Sequence, residues 1–202
     1  MKSAADRYPR VLRAVHLATA LLVLAQVALA GVNALVYEGN PVLAEAAVQA
    51  HLSLGAVVLA LTVLRLFCRL SLDVPALPDD MQTGARRAAQ VVHAALYLLL
   101  LALPLSGYVK LAALGYEIVL FGLFALPPLP FDPVLATAAR DLHAAAAVIL
   151  GVLLTGHIAA ALLHRRLFGQ AVLRRMFPPM FLMRRNRSLD DPGLTTSDRI
   201  GG

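Results

Sequence analysis

Four long apolar segments constrain the fold of this chain more than any other feature of its sequence. They run approximately over residues 13–36, 44–69, 87–111 and 137–166. Each is long enough for a tilted helix to cross a hydrocarbon layer of about 30 Å at about 1.5 Å per residue. Lipid offers no partner to backbone polar groups, so an uninterrupted span must be helical. The sequence therefore predicts an all-α integral membrane protein, a four-helix bundle.

The composition agrees with this prediction. Hydrophobic residues make up 59% of the 202 residues and charged residues 15%, whereas soluble domains carry about 25% charged residues. The net charge of +6 would favour nucleic-acid binding in a soluble protein, but here the basic residues flank the apolar segments. We therefore expect contact with membrane lipid and no nucleic-acid partner.

Lys and Arg residues are distributed unevenly between the two ends of the predicted bundle. Only Lys110 and Arg140, two of the 18, flank the first and third connections; the other sixteen lie at the opposite end. Because cytoplasmic segments carry the excess of positive charge, both termini are predicted to be cytoplasmic, in a bacterial inner membrane. The basic N-terminus resembles the start of a signal peptide, but the long apolar run behind it favours a retained first helix.

Two further predictions concern segments outside the four helices. Between the third and fourth helices, the apolar stretch Ile118–Phe121 is too short to span a membrane and is followed by several prolines. It predicts a short interfacial helix, or a re-entrant cap, ended by those prolines. Residues 1–180 are predicted to form one domain, and residues 181–202 a basic, polar cytoplasmic tail that is disordered.

The single cysteine, Cys68, excludes several kinds of site. One cysteine allows no intrachain disulfide, no iron–sulfur cluster held by four thiolates and no haem attached through a C-x-x-C-H sequence. Cys68 lies at the end of an apolar run, which is typical of a small side chain packed among apolar residues.

Six histidines lie within or at the edges of the predicted helices. They are His16, His51, His93, His143, His157 and His164. Ionisable side chains in transmembrane segments are costly and are functional candidates by default. Imidazole is a ligand of haem iron, and two axial histidines complete its coordination.

The depth of four histidines predicts how they pair. His143 and His157 are 14 residues apart, so they lie within about 40° of each other on one helix face and about 21 Å apart along its axis. The direction of each helix places His16 at the depth of His157, and His51 at the depth of His143. We therefore predict two iron sites, one for each pair, with two b-type haems.

Other residues are predicted to support these cofactors. Gly55, one turn after His51, would let a flat macrocycle approach the backbone, although small residues also serve ordinary helix packing. Haem propionates are anionic, and the candidate partners are Arg10 and Arg13 at the cytoplasmic end and Arg140 and Lys110 at the outer end. Snorkelling at the interface is the alternative explanation for these basic residues.

The two remaining histidines leave alternatives open. His93 could ligate in place of His16, or contact a propionate or a quinone. His164 is predicted to lie at the membrane surface beside two arginines, where an interfacial or propionate-binding role is expected. A zinc site is a weaker interpretation because the sequence has no His-x-x-x-His and no cysteine partner at these depths. Histidines hydrogen-bonded in a core, or forming a proton path, would suit a haem-free transporter or structural bundle.

The chain resembles the bacterial cytochrome b561 family, which is related to the cytochrome b subunits of nickel–iron hydrogenases. The resemblance extends from Tyr8 to about Pro179 and is carried by Tyr8-Pro9-Arg10 through His16, His51 through Arg69, Tyr97 through Gly107, Phe121-Gly122-Leu123, the histidines of the fourth helix and Leu173-Arg174-Arg175-Met176. It implies a four-helix bundle with two non-covalent b haems on His16, His51, His143 and His157. The chain departs from the family pattern at Leu17 and Ala144, which follow His16 and His143.

The resemblance also implies the function. Members exchange electrons with ubiquinone, some oxidise superoxide, and others anchor a dehydrogenase or pair with a soluble cytochrome. We therefore expect a membrane di-haem cytochrome that transfers electrons between a donor and the quinone pool, as a quinone-linked oxidoreductase. The alternatives are a non-catalytic electron-relay subunit for a soluble redox partner and a haem-free transporter or structural bundle.

Overall fold

The computed structural model describes residues 8–36, 39–73 and 82–168. The elements are α1 (Arg10–Val36), α2 (Pro41–Ser71), α3 (Thr83–Ala112), β1 (Val119–Leu120), β2 (Phe124–Ala125) and α4 (Pro133–Phe168). In these ranges, four helices are long and apolar enough to cross a membrane. The predicted all-α membrane bundle is therefore confirmed. The predicted tail, 181–202, lies outside the described residues.

Two helices begin at the same kind of sequence signal. The side chain of Asn40 caps α2 by accepting a hydrogen bond of 3.0 Å from the Leu43 N–H, and Pro41 occupies the first turn. Asp132 likewise accepts from two N–H groups in the first turn of α4, directly before Pro133. An Asn or Asp cap followed by proline satisfies backbone donors and presets the helical φ. The sequence thus fixes where both helices start.

The four helices pack as two antiparallel pairs. α1 lies against α2, α3 lies against α4, and the two pairs meet mainly through α2 and α3. A small apolar cluster around Val23, Val58 and Leu150 lies at the centre. Large apolar side chains such as Leu21 and Val148 are exposed at 59% and 69%, as expected for side chains that face acyl chains. The space between the helix pairs is where a buried site can form.

The connection from α3 to α4 is a two-stranded antiparallel hairpin, and the predicted short interfacial helix is wrong. Val119 pairs with Ala125, and Leu120 with Phe124. Phe121 (φ 54°) and Gly122 (φ 68°) turn the chain in the left-handed region, which a right-handed helix cannot include. The alternative interpretation as a cap agrees with the structure. The hairpin docks on α2 because the Phe121 N–H donates to Ser53 Oγ at 2.9 Å.

Candidate functional site

Two pairs of histidines face each other across the bundle at different levels. The ring centres of His51 and His143 are 6.4 Å apart, and those of His16 and His157 are 6.5 Å apart. We call His51 and His143 the capped pair, because the hairpin lies over their cavity. His16 and His157 are the terminal pair, at the end where α1 begins. The structure thus brings together the same partners that helix depth predicts.

The spacing of the rings suits a shared metal ion. An imidazole nitrogen lies about 2.1 Å from a bound first-row metal, and about 1.15 Å from the centre of its own ring when ring bonds are about 1.35 Å. Two imidazoles on opposite sides of one metal therefore have centres about 6.5 Å apart. Both pairs match this separation. His93 and His157, at 5.4 Å, are too close, so the geometry favours His16 over His93 as the partner of His157.

Each pair lies on a cavity between the helix pairs. The cavity at the capped pair has a volume of about 430 Å³, within the range of about 300–1,000 Å³ that is usual for small-molecule sites. The cavity at the terminal pair measures only about 70 Å³, so a macrocycle there requires the surrounding side chains to move apart. Val23, Leu100, Leu150 and Leu154 line both cavities. One apolar wall therefore separates the two levels.

His143 is held in an orientation suited to a ligand. Its Nδ1 lies 2.9 Å from the Leu103 carbonyl oxygen and 3.1 Å from Ser106 Oγ. A carbonyl can only accept, so Nδ1 carries the proton and Nε2 is left with a free lone pair. Histidine ligands of metals are commonly fixed in this way, by donating the other ring N–H to a carbonyl.

Gly107 allows His143 to approach α3 this closely. A Cβ at position 107 would lie 3.2 Å from His143 Cε1 and 3.4 Å from its Nδ1. The shorter of these contacts is tight, so the imidazole would have to give by a few tenths of an ångström. The absence of a side chain at Gly107 is therefore part of what positions the His143 ring.

Two other histidines of the pairs, His16 and His51, differ from His143. Nδ1 of His16 and Nδ1 of His51 are buried without a hydrogen-bond partner among the described residues. No hydrogen bond therefore fixes the tautomer of these two rings, whereas the Leu103 carbonyl fixes that of His143. No group of three or more His, Cys, Asp or Glu in the described ranges could hold a metal ion, so the pairs are the units to consider.

Gln26 is a polar neighbour of the capped pair that sequence reasoning missed. Its Nε2 donates to the His51 carbonyl oxygen at 2.8 Å, and it lines the larger cavity with Gly55. A Cβ at Gly55 would lie 3.0 Å from Gln26 Nε2. The predicted place of Gly55 beside a cofactor cavity agrees with the structure, and the glycine also makes room for Gln26.

The predicted basic residues are not gathered at the two cavities. Arg10, Arg13 and Arg140 line neither of them, and Arg140 is exposed and paired with Asp141 at 3.1 Å. The structure gives their predicted propionate contacts no direct support. Lys110 is within electrostatic reach of both histidines of the capped pair.

Arg65 is the basic residue that the structure adds. It lines the terminal cavity together with His16, His93 and His157. The sequence contained a signal for it, because Arg65 follows His51 by 14 residues, the same spacing that joins His143 to His157. One helix face thus carries His51 at one level and Arg65 at the other.

The connection 113–132 closes the larger cavity from above. Tyr116 donates a hydrogen bond to the Glu45 carboxylate, and Gln49 Nε2 donates to Glu45 at 3.0 Å and to the Glu117 carbonyl at 3.4 Å. Ile118 and neighbouring apolar residues of the connection line the cavity. Polar contacts to α2 therefore hold the apolar side chains of this connection over the cavity of the capped pair.

The Tyr116 phenol is expected to titrate at high pH. Partial burial raises the pKa of Tyr116 to about 12, and the hydrogen bond to Glu45 adds to the rise. Since an ordinary tyrosine has a pKa of about 10, the protonated contact is intact below about pH 10 and is lost as the pH approaches 12. The difference in phenolate absorbance between wild type and Tyr116→Phe, followed as the pH is raised, gives the titration midpoint of Tyr116. Glu45→Gln should lower the midpoint, and an ordinary midpoint in the wild type would contradict the contact.

Comparison with known families gives a match that covers most of the chain. Residues 7–179 match the family model described as prokaryotic cytochrome b561. The matched range includes all four helices, the hairpin and both histidine pairs. A comparison with curated proteins gave no match.

Proposed function

The chain belongs to the prokaryotic cytochrome b561 family, and on this premise we propose that it holds two b-type haems and passes electrons between a donor and the quinone pool. Membership makes it a multi-pass bacterial membrane protein and a b-type cytochrome of electron transfer. The number of haems, their ligands and the exchange with quinone are the proposal.

The observation that carries the proposal is the pairing of histidines at two levels. Each pair has a ring-centre separation, 6.4 or 6.5 Å, that suits two imidazoles sharing one metal ion. A haem held by each pair would supply electron transfer. We assign one haem to His51 and His143, and the other to His16 and His157.

The protein's own residues hold and insulate these sites. The Leu103 carbonyl fixes the tautomer of His143, and Gly107 leaves room for its ring. The apolar side chains shared by the two cavities would keep water out of the space between the levels. Keeping water out limits competing reactions.

The proposed orientation of the bundle places each haem near one face of the membrane. By sequence, sixteen of the 18 Lys and Arg residues belong to the N-terminal segment, the second connection with its flanks and the C-terminal segment. We therefore assign the end of the bundle where α1 begins to the cytoplasm of the bacterial inner membrane. The capped pair then lies near the outer surface, beneath the hairpin. A donor and a quinone would exchange electrons with haems at opposite faces.

The test combines haem quantitation with quinol reduction. Purified wild-type protein is expected to contain about two haems b per chain by pyridine haemochrome. Added ubiquinol should reduce these haems, which is seen as the appearance of the reduced α-band in the absorbance spectrum. One haem per chain would contradict the assignment of both pairs. Two haems that ubiquinol does not reduce would instead favour an electron-relay subunit docked to a soluble redox partner.

A further inference from the structure

Arg65 is a cation turned into the bundle. It is half-buried, it lines the terminal cavity, and its guanidinium carbon lies 5.5 Å from the ring centre of Tyr97. It is also within electrostatic reach of His16, His93 and His157. The guanidinium therefore lies beside the terminal pair and away from the lipid surface of α2.

No acidic side chain in the part of the chain that the structure describes neutralises this charge. Within the four helices, the acidic residues are Glu45 and Asp141, and both lie at the opposite, capped end. Asp73 follows α2 at the same end as Arg65, but it is exposed. In residues 8–36, 39–73 and 82–168, the salt bridge joins Arg140 to Asp141, and none joins a carboxylate to Arg65. A half-buried charge without a counter-ion is costly, most of all within a membrane. An anion from outside the described chain would remove that cost.

Snorkelling does not account for the position of Arg65. Arg69 follows it by one turn on the same helix and is exposed, as expected of an arginine that extends toward the interface. The Arg65 guanidinium instead lies over the Tyr97 ring, with its central carbon 5.5 Å from the ring centre, within the range of a cation–π contact. Such a contact uses none of the five N–H donors in a hydrogen bond, so they are left available to an anion.

We propose that Arg65, in cation–π contact with Tyr97, is an anion-binding site that holds a carboxylate of the haem at the terminal pair. This inference rests on the proposed function, which places a haem between His16 and His157. A carboxylate matches the planar fork of the guanidinium and accepts two hydrogen bonds from it. The register of α2 supports the assignment, because it brings Arg65 to the level of the terminal pair just as it brings His51 to the capped pair.

The positive charge has a measurable consequence. Reduction adds an electron to the haem, so a nearby cation favours the reduced form. In Arg65→Gln, the ratio of reduced to oxidised haem at the terminal pair should fall about tenfold at a fixed potential, which is about 59 mV for a one-electron couple. A redox titration of the purified holoprotein measures both haems, and the His51→Ala protein identifies the terminal one.

Two variants separate the charge from its geometry. Arg65→Lys keeps the positive charge but loses the planar set of donors that matches a carboxylate. The reduction potential should therefore stay near the wild-type value, while the propionate bending band in the resonance Raman spectrum shifts. Arg69→Gln removes an exposed charge one turn away and should change neither readout. Arg65→Lys also keeps the test valid if Arg65→Gln loses its haems.

The experiment also distinguishes a haem carboxylate from a lipid phosphate. The titrations are repeated in detergent, in phosphatidylcholine vesicles and in phosphatidylglycerol vesicles. A haem carboxylate predicts the same shift in all three, whereas a shift confined to phosphatidylglycerol would overturn the proposal in favour of a lipid phosphate. Unchanged potentials and an unchanged Raman band in Arg65→Gln would also overturn it. A wild type with fewer than two haems would refute the proposed function itself, which separates the two failures.

Discussion

Replacing His157 with alanine should remove one of the two haems and leave about one per chain. The structure places His157 6.5 Å from His16, and an iron that keeps only one axial imidazole loses most of its attachment to the helices. Pyridine haemochrome gives the haem content, and a redox titration should show one remaining transition. His51→Ala should have the same stoichiometry but retain the other transition, because His51 belongs to the capped pair.

His93→Ala is the matched control for these losses. His93 also faces His157, but at 5.4 Å the two rings are too close to ligate one metal from opposite sides. The variant should therefore keep both haems, whereas His16→Ala should lose the terminal one. The reverse result, with His93→Ala losing a haem and His16→Ala keeping both, would show that the ligand of the terminal iron comes from α3.

Gly107→Val is expected to remove the haem of the capped pair without touching any ligand. A Cβ at position 107 already lies 3.2 Å from the His143 ring, and the extra methyl groups of valine deepen the overlap. Moving the ring breaks the 2.9 Å contact with the Leu103 carbonyl that fixes its tautomer. Loss of such outer contacts typically costs about 10–100-fold in metal affinity. Haemochrome and redox titration should show the terminal haem alone.

Two further glycine variants test whether the loss depends on the size of the added side chain and on its position in α3. Gly107→Ala adds only the Cβ, so it should weaken binding at the capped pair less than valine does. Gly84→Val changes a glycine on the same helix where an added Cβ would meet no atom of the described residues within 4 Å, and it should keep both haems. Equal loss from Gly84→Val and Gly107→Val would mean that valine disturbs α3 in general and not the His143 ring.

The histidine pairs could be predicted from the sequence because depth in a membrane is a one-dimensional property. Residue number along a helix of known direction gives depth at about 1.5 Å per residue. His143 and His157 therefore had to lie at two levels on one face, and His16 and His51 each had one partner at matching depth. Depth does not give the lateral position of a ring, so depth alone leaves His93 as an alternative to His16. The ring-centre distances to His157 favour His16.

The residues that surround the pairs were harder to find. The sequence offers Arg10 and Arg13 as cationic partners at the cytoplasmic end, whereas the structure places Arg65 at the terminal cavity. Gln26 reaches the His51 carbonyl from another helix. Contacts between helices depend on how far each helix rotates and slides against its neighbour, and the apolar patterns of these segments fix neither quantity.

The hairpin shows the same limit for local structure. The segment around Ile118–Phe121 is apolar and short, which is compatible with a helix lying in the interface. Its pairing depends on Phe121 and Gly122 adopting positive φ and on the bond from the Phe121 N–H to Ser53 on α2. A strained turn of this kind is stable only where another element supports it.

The sequence by itself determined the four long apolar helices and the two levels at which histidines meet. Lipid forces each apolar run to be a helix, and helix geometry then converts residue number into depth and face. Only the tertiary structure decided that Gly107 and the Leu103 carbonyl orient His143, that a hairpin roofs the larger cavity, and that Arg65 is the charge beside the terminal pair. Those features depend on distances between helices, which arise from side-chain packing and are not encoded in the periodicity of any one segment.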